Sequence, residues 1–348
     1  MDRIRLYLAA QDTAARLAWK QRPRQWVPSS FAALGAICLF GCMLLMQGPR
    51  AVADSAPAQN RPLAVQEVAK GVYVHQGVHA EATPENLGGI ANIGFVIGDR
   101  SVAIIDTGGS FAEGSQLLAA VRQVTALPIA YVINTHFHPD HILGNGAFLD
   151  LKPEFVAHRN FPRDLAGRAK DYVAAAQHSL GAAFQGTVLV QPRHLVSAPE
   201  KIDLGHRILT LTPYQAAHSD ADLTVLDENT GTLFTGDLVF LERVPAVDGS
   251  ITGWLKAIDQ LREVQAARAV PGHGPVVAAW PSALTEEQRY LSGIVAAVRR
   301  QLKEGRSLQQ TVESVDEALG RVERSKWQLF DDYNGRNITA AYTELEWE

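Results

Sequence analysis

The segment 135–145, THFHPDHILGN, places three histidines and one aspartate within six positions, directly after an apolar run that is typical of a strand. The whole chain has only 11 histidines in 348 residues, so chance is a poor explanation for the cluster. His136 and His138 are two positions apart, which directs both side chains to the same side of an extended segment. Asp140 and His141 follow where the chain turns, and a helix is expected to begin directly after His141. The fold must therefore hold this strand end open to a site.

Further candidate ligands stand where other apolar runs end. They are His218 in YQAAHSDADLTVL, Asp237 in TLFTGDLVF and His273 in AVPGHGP. Ligands at strand ends are rigidly held and open to substrate. The total of five imidazoles and two carboxylates exceeds what one tetrahedral zinc ion accepts, so two metals that share a bridging ligand are predicted. Such a pair supplies hydroxide near neutral pH and polarises a carbonyl or phosphoryl oxygen, and the predicted chemistry is hydrolysis.

The N-terminal segment predicts export. Basic residues precede an uncharged, mostly apolar stretch at 31–46, and the sequence Ala-Val-Ala follows at 51–53. This pattern is typical of a secretory signal peptide and favours cleavage after Ala53. The alternative is an uncleaved membrane anchor, although the apolar stretch is shorter than the roughly 20 residues that span a bilayer. The predicted location is the periplasm or the exterior, or the inner membrane if the segment is retained.

The composition excludes several classes of site once residues 1–53 are set apart. Both cysteines, Cys38 and Cys42, lie in that segment, so the remaining chain has neither a disulfide nor a thiolate ligand. The segment carries seven Lys or Arg and two Asp, which leaves about −10 on the remainder, against −5 for the whole chain. An acidic protein without basic clusters is not expected to bind nucleic acid. Any metal must therefore be held by histidine and carboxylate, and the expected partner is a small-molecule substrate.

The hydrophobic pattern predicts an α/β (α+β) fold in which mixed sheets are covered by helices. A polar linker at 54–62 is expected to precede one hydrolase domain at 63–348, which ends in C-terminal helices. The predicted strands are 72–75, 93–97, 102–105, 131–133, 208–211, 223–226 and 232–234. The predicted helices are 112–124, 164–183, 252–264, 285–303 and 308–319.

These motifs resemble the signature of the metallo-β-lactamase fold superfamily over about residues 65–280. THFHPDH looks like its central motif, and the other candidates fall in the order of its further motifs: Asp106 in IIDTGG, then His218, Asp237 and His273. The resemblance implies a four-layer αββα sandwich with two zinc ions at one edge of the sheets. Asp106 would stabilise the loop that presents the ligands.

The resemblance also implies an assignment of ligands. His136, His138 and His218 would bind one zinc, and Asp140, His141 and His273 would bind the other. Asp237 would bridge the two metals, and Asp140 and Asp237 would hold the attacking metal-bound hydroxide. An aspartate at the bridging position is similar to glyoxalase II enzymes rather than to true β-lactamases, which usually have Cys or Ser there. Glyoxalase II-like hydrolysis is therefore expected ahead of β-lactamase-like hydrolysis.

A finer resemblance is carried by the predicted export segment, by HPDHILGNGAF and by TGDLVFLERVPAVDGSITGWL. They look similar to periplasmic zinc metallohydrolases associated with quinoprotein alcohol oxidation and with sulfur-oxidation clusters. The predicted function is an exported dinuclear zinc hydrolase that cleaves an ester-, thioester- or amide-like bond. One alternative is a mononuclear iron thiol or persulfide dioxygenase. The other is a non-catalytic accessory protein that binds a metal or a periplasmic redox or sulfur-carrier partner.

Overall fold

The computed structural model describes residues 61–348. The predicted signal peptide or anchor, residues 1–53, and nearly all of the predicted linker lie outside the described residues. Among residues 61–348, no helix combines the length and the apolar composition that crossing a membrane requires.

The first sheet contains seven strands that lie side by side in chain order. The first four strands pair antiparallel, and from the fourth to the seventh the pairing is parallel. The strands are β1 (Gln66–Ala69), β2 (Val72–His75), β3 (Ile93–Ile97), β4 (Val102–Ile105), β5 (Ile129–Ile133), β6 (Glu154–His158) and β7 (His194–Val196).

The second sheet contains five strands in the order β12-β11-β10-β9-β8. Only the β11–β12 pair is parallel, and the other neighbours are antiparallel. The strands are β8 (Glu200–Asp203), β9 (Ile208–Pro213), β10 (Leu223–Asp227), β11 (Thr232–Phe240) and β12 (Arg268–His273). The sequence pattern did not predict β8 or β12, nor β1, β6 and β7 of the first sheet.

Seven α-helices and two short 3-10 segments accompany the sheets in the described part of the chain. The helices are α1 (Phe111–Val124), α2 (Pro139–Ile142), α3 (Phe161–Leu180), α4 (Ile251–Arg262), α5 (Leu284–Lys303), α6 (Leu308–Glu323) and α7 (Phe330–Leu345). The 3-10 segments are Asn145–Leu151 and Gly181–Phe184. The five helices predicted from the sequence are present, whereas α7 was not predicted.

The short helix α2 corrects one expectation. It begins at Pro139 and ends at Ile142, whereas the sequence was taken to predict a helix start after His141. A backbone N–H at the first helical position has no partner within the helix, so proline, which has no N–H, loses nothing there. Its fixed φ is also close to the helical value. Asp140 and His141 therefore belong to the helix itself, whereas the sequence places them in the turn before it.

The strand β4 shows how the layers are built. Its side chains alternate, as the period of a strand requires. Ala103 and Ile105 join the apolar cluster between the two sheets. Val102 and Ile104 join the cluster with Leu117 on the outer face, beneath α1. Burial on both faces makes the strand a continuous apolar run, as is typical of parallel pairing.

A second group of helices covers the outer face of the second sheet. Trp254 of α4 and Tyr290 and Ile294 of α5 are completely buried in one cluster with Leu233 of β11. Each such side chain contributes about 1.5 to 3 kcal/mol through burial. The order helix, sheet, sheet, helix is the predicted four-layer αββα sandwich, and the prediction of the fold is confirmed.

Candidate metal centre

The structure brings all seven predicted ligands to one edge of the two sheets. The extended segment after β5 carries the first two histidines, and α2 carries the next aspartate and histidine. The remaining three ligands come from the second sheet, on the β9–β10 connection, within β11 and at the end of β12. Within each of two groups the ligand atoms lie less than 4.8 Å apart. The groups are His136, His138, His218 and Asp237, and Asp140, His141 and His273.

Asp237 lies between the two groups. Its Oδ2 is 3.4 Å from Nε2 of His218 and 3.8 Å from Nε2 of His136. Its carboxylate also reaches the other group, with Oδ1 3.1 Å from Nε2 of His141 and Oδ2 3.3 Å from Nε2 of His273. This is the position that a bridging ligand requires.

Two glycines make room for this carboxylate. A Cβ on Gly272 of β12 would lie 2.0 Å from Oδ1 of Asp237, where no atom fits. Gly236 has a φ of 50°, and a Cβ there would lie 2.5 Å from Oγ1 of Thr135. Glycine adopts a positive φ readily and has no Cβ. Gly236 in TGD thus allows β11 to approach the histidine segment closely, and Gly272 in PGH allows β12 to approach Asp237.

Asp106 organises the histidine segment. It has a φ of 56°, a region that aspartate tolerates better than most residues. Its carboxylate accepts hydrogen bonds from the Thr135 backbone N–H at 2.8 Å, from the Thr135 hydroxyl at 2.7 Å and from Nδ1 of His141 at 2.8 Å. Oγ1 of Thr135 in turn lies 3.1 Å from Nδ1 of His136. Asp106 therefore directs Nε2 of His141 towards the centre, in keeping with its predicted supporting role.

Backbone carbonyls orient two more imidazoles. Nδ1 of His218 donates to the Ala246 carbonyl at 2.8 Å, and Nδ1 of His273 donates to the Ile90 carbonyl at 2.7 Å. A hydrogen bond to one ring nitrogen fixes the tautomer, so that the other nitrogen presents a lone pair. In both residues that free nitrogen is Nε2. The sequence carries no motif for either carbonyl, because any residue supplies one.

Asp248 is a functional residue that the sequence did not reveal. Its Oδ2 lies 2.9 Å from Nε2 of His138, and its Oδ1 accepts from Nη1 of Arg168 at 2.9 Å. With Nε2 of His138 donating to this carboxylate, Nδ1 is the nitrogen that faces the centre. Nδ1 indeed lies 2.9 Å from Nε2 of His218. Asp248 is separated from His138 by 110 positions, and no spacing rule connects them.

Unpaired buried atoms test whether these residues suit a cation. Nε2 of His136, Nε2 of His141 and Oδ1 of Asp237 are all buried and make no hydrogen bond within the described residues. Buried polar atoms without partners cost about 1 to 3 kcal/mol each. The atoms of His136 and Asp237 belong to the first group and that of His141 belongs to the second, so a divalent cation in each group would satisfy them. The donor set of imidazoles and carboxylates fits such an ion.

The two groups differ in their protonation. Burial lowers the pKa of His136 well below its usual range and lowers the pKa of His218 to about 4. Burial also opposes the charge on His141, but the carboxylates of Asp237 and Asp140 outweigh it and raise its pKa well above the usual range. His136 and His218 of the three-histidine group therefore offer neutral imidazoles. The second group must release protons before it can bind a metal.

Solvent reaches the centre from one side. Five of the seven predicted ligands are buried, whereas the side chains of Asp140 and His138 are 17% and 15% exposed. A substrate must therefore approach over these two residues. The other five ligands are closed off from water.

Comparison with known proteins identifies the family. The model of the Metallo-beta-lactamase superfamily matches residues 87–273, which is more than half of the chain and includes every predicted ligand. The chain therefore belongs to the metallo-beta-lactamase superfamily. The finer resemblance to periplasmic zinc metallohydrolases stays a prediction.

The curated relatives are distant or short matches. A linear primary-alkylsulfatase from Pseudomonas sp. is 46% identical over 50 residues, which is 14% of this chain and 10% of that protein. A beta-lactamase-like protein 2 homolog from Caenorhabditis elegans is 22% identical and covers 50% of this chain and 52% of that protein. An atrochrysone carboxyl ACP thioesterase from Passalora fulva is 23% identical and covers 68% of this chain and 65% of that protein. The chain thus spans less than two thirds of the length of these three relatives.

Solved structures share the fold. A metallo-beta-lactamase from Pontibacter korlensis has a TM-score of 0.54 and 19% identity, and it covers 66% of this chain and 99% of that chain. The sec-alkylsulfatase Pisa1 from Pseudomonas sp. has a TM-score of 0.64 and 17% identity, and it covers 81% of this chain and 50% of that chain. At such identities the likeness concerns the fold alone.

Proposed function

We propose that this protein is an exported, dinuclear zinc hydrolase that cleaves an ester-, thioester- or amide-like bond in a small molecule. The observation that carries the proposal is the pair of adjacent His/Asp groups with Asp237 between them. The donor set, rich in imidazole and without thiolate, supports zinc. Aspartate at the bridging position favours glyoxalase II-like over β-lactamase-like chemistry. The pattern in residues 1–53 supports export.

The bound metals would supply hydroxide near neutral pH and polarise the substrate oxygen. The chain's own residues perform the remaining tasks. Burial raises the pKa of the Asp140 carboxyl, but His141 and His273 outweigh it and hold that pKa below the usual range. Asp140 is thus an ionised acceptor at the open side, able to orient a nucleophile by a hydrogen bond.

The substrate panel follows from the chemistry and from the relatives. The names of two relatives describe a thioesterase and an alkylsulfatase. We therefore include thioesters and alkyl sulfates beside lactones and lactams. A carbonyl or sulfate oxygen in any of these compounds is a group that a metal pair can polarise.

Metal content is the first test. The protein, purified from export without added metal, is expected to contain close to two zinc ions per chain by elemental mass spectrometry. A single iron per chain would contradict the hydrolase and indicate the thiol or persulfide dioxygenase, to be assayed by oxygen consumption. Two zinc ions without turnover of any compound in the panel would indicate the accessory role in a periplasmic oxidation system.

The Asp140→Ala variant tests the assigned role. It should lose activity and about one zinc per chain while its circular dichroism stays unchanged. The Asp150→Ala variant is the matched control, because Asp150 is exposed and lies on the nearby 3-10 segment. Normal hydrolysis by Asp140→Ala would show that the assignment is wrong.

A further inference from the structure

The connection between β11 and α4, residues 241–250, orients two of the metal-facing histidines. The Ala246 carbonyl accepts from Nδ1 of His218, and Asp248 holds Nε2 of His138. The backbone N–H of Asp248 also donates to the carbonyl of His218 at 3.1 Å. We call residues 241–250 the orienting loop. A shift of this loop would turn both imidazoles.

The C-terminal helix α7 makes hydrogen bonds to the centre of the orienting loop. Oδ1 of Asn337 accepts from the backbone N–H of Val247 at 2.9 Å, and its Nδ2 donates to the carbonyl of Pro245 at 2.6 Å. These two contacts flank Ala246 on either side. Asn337 is 1% exposed, so water cannot replace the bonds that it makes. The amide of one side chain therefore fixes the peptide units around the carbonyl that orients His218.

The same helix makes hydrogen bonds to the end of the orienting loop and to the start of α4. Glu344 lies seven positions after Asn337, which places both on one face of α7. Its carboxylate accepts from Oγ of Ser250 at 2.8 Å and from the backbone N–H groups of Ile251 and Thr252 at 2.7 and 3.2 Å. These N–H groups begin α4, where a negative charge is favourable. The loop is therefore held at both its centre and its end.

We infer that α7 is a positioning element for the three-histidine metal position, acting through Asn337 and Glu344 on the orienting loop. Neither residue is among the predicted ligands. Both lie outside the matched span 87–273, in the C-terminal helices of this chain. The inference rests on the metal-binding role proposed above. It predicts that metal affinity depends on side chains that never contact the metal.

The first experiment compares Asn337→Ala with Asn334→Ala in the full chain. Asn334 is equally buried, one turn earlier on α7, and bonds to the Tyr290 hydroxyl and to Asp316. Within the described residues Asn334 makes no direct hydrogen bond to the orienting loop, and its link to Asn337 runs through the Tyr290 hydroxyl, which accepts from Nδ2 of Asn337 at 2.9 Å. Each substitution removes buried hydrogen bonds and should lower the melting temperature of the protein. If α7 had only a structural role, the two substitutions would therefore affect metal binding equally.

Zinc affinity separates the two variants. Zn²⁺ is titrated in competition with a chromogenic chelator, and Co²⁺ absorption reports the geometry of each filled position. Asn337→Ala should weaken zinc binding at the three-histidine position by about 10-fold, the lower end of the effect of removing a direct support of a metal ligand, because Asn337 acts through the loop. Binding at the other position should change by less than about threefold, as should binding at both positions in Asn334→Ala. Equal effects of the two variants would overturn the inference.

Two conservative variants test whether the loss of zinc affinity results only from misfolding. Asn337→Asp keeps the acceptor for Val247 but cannot donate to Pro245, so its loss of affinity should be intermediate. Glu344→Gln keeps an acceptor for α4 without the charge and should weaken binding at the three-histidine position by about threefold to tenfold, since charge-assisted bonds are about twice as strong as neutral ones. Unchanged zinc affinity in folded Asn337→Ala and Glu344→Gln proteins would also overturn the inference.

Activity distinguishes this inference from the proposed function. Zinc binding that depends on Asn337, in a protein that hydrolyses nothing in the panel, would support the positioning role and contradict the hydrolase. A wild-type protein that binds no zinc would overturn both.

Discussion

Replacement of Asp106 by asparagine isolates one hydrogen bond that orients a predicted metal ligand. Asparagine tolerates the left-handed backbone at this position, so the substitution adds little strain. The carboxylate accepts three bonds, and its Oδ2 receives both the Thr135 hydroxyl and Nδ1 of His141. In the variant, the side-chain oxygen of the introduced asparagine can still accept from the Thr135 backbone N–H. Its NH₂ group then faces the Thr135 hydroxyl and Nδ1 of His141, which are both donors. To accept a hydrogen bond from this NH₂ group, Nδ1 of His141 must lose its proton to Nε2, the atom that the metal needs.

The size of the effect follows from the bond that is lost. A hydrogen bond to a charged group contributes about 1.5 to 3 kcal/mol, which corresponds to about 10- to 100-fold in metal affinity. The pKa of His141 works in the opposite direction, because loss of the Asp106 charge makes this imidazole easier to deprotonate. Asp237 and Asp140 raise that pKa more than Asp106 does, and both remain. The tautomer effect should therefore prevail.

The assay is zinc competition with a chromogenic chelator, with metal content measured after gel filtration. Asp106→Asn should weaken chiefly the position that contains His141. Asp248→Asn is the matched comparison, since it makes the same change beside His138 and should weaken chiefly the three-histidine position. Zinc affinities of Asp106→Asn within about threefold of the wild type at both positions would refute the tautomer reasoning.

The remaining predictions concern proton binding and packing around the same site. Burial raises the pKa of Glu113 to about 8 from an ordinary 4.5, so the native state keeps a proton that the unfolded chain releases, and stability falls as pH rises between these values. In denaturant titrations, Glu113→Gln should reduce the fall in the free energy of unfolding by up to about 1.4 kcal/mol for each pH unit between these values. An unchanged pH dependence of the free energy of unfolding would contradict this prediction. Zinc titrations at pH 6 and pH 8 should show the second position weakened at the lower pH, because His141 must lose its proton, while identical loading would count against this. Gly272→Ala should abolish metal binding through its clash with Asp237, whereas Gly293→Ala, whose nearest contact would be 3.4 Å away, should retain it in the same mass-spectrometric assay.

The sequence predicts the strands well where they are uniformly apolar. β3 and β4 were predicted with the observed bounds, since each is an apolar run that ends in polar or glycine residues. β8, with the sequence EKID, is short and polar, and β12 contains proline and glycine, so neither has the usual composition of a strand. Their pairing is decided by neighbours distant in sequence. Such contacts leave no periodic signal.

The sequence predicts the seven candidate ligands, but it predicts the residues that support them only in part. The ligand role demands histidine or carboxylate at definite places, and those residue types are rare enough to notice. Asp106 was recognised only through the family resemblance. Asp248 and Asn337 lie far from the histidines they affect and belong to no motif. Asn337 also stands inside α7, where asparagine is a poor helix former, and this conflict between local preference and structure is the one signal that could have drawn attention to it.

Because the ligands are divided between the two sheets, a bound metal would affect the folding and stability of the chain as well as its chemistry. His136, His138, Asp140 and His141 arrive with one sheet and the other three ligands with the second, so the cage closes only after both sheets have docked. A metal captured then joins distant parts of a chain whose described residues contain no cysteine, much as a disulfide would. At a free concentration 100 times its Kd, it adds about 2.7 kcal/mol to the stability of the native state. The stability of the folded protein would then depend on the supply of metal around it as well as on its own sequence.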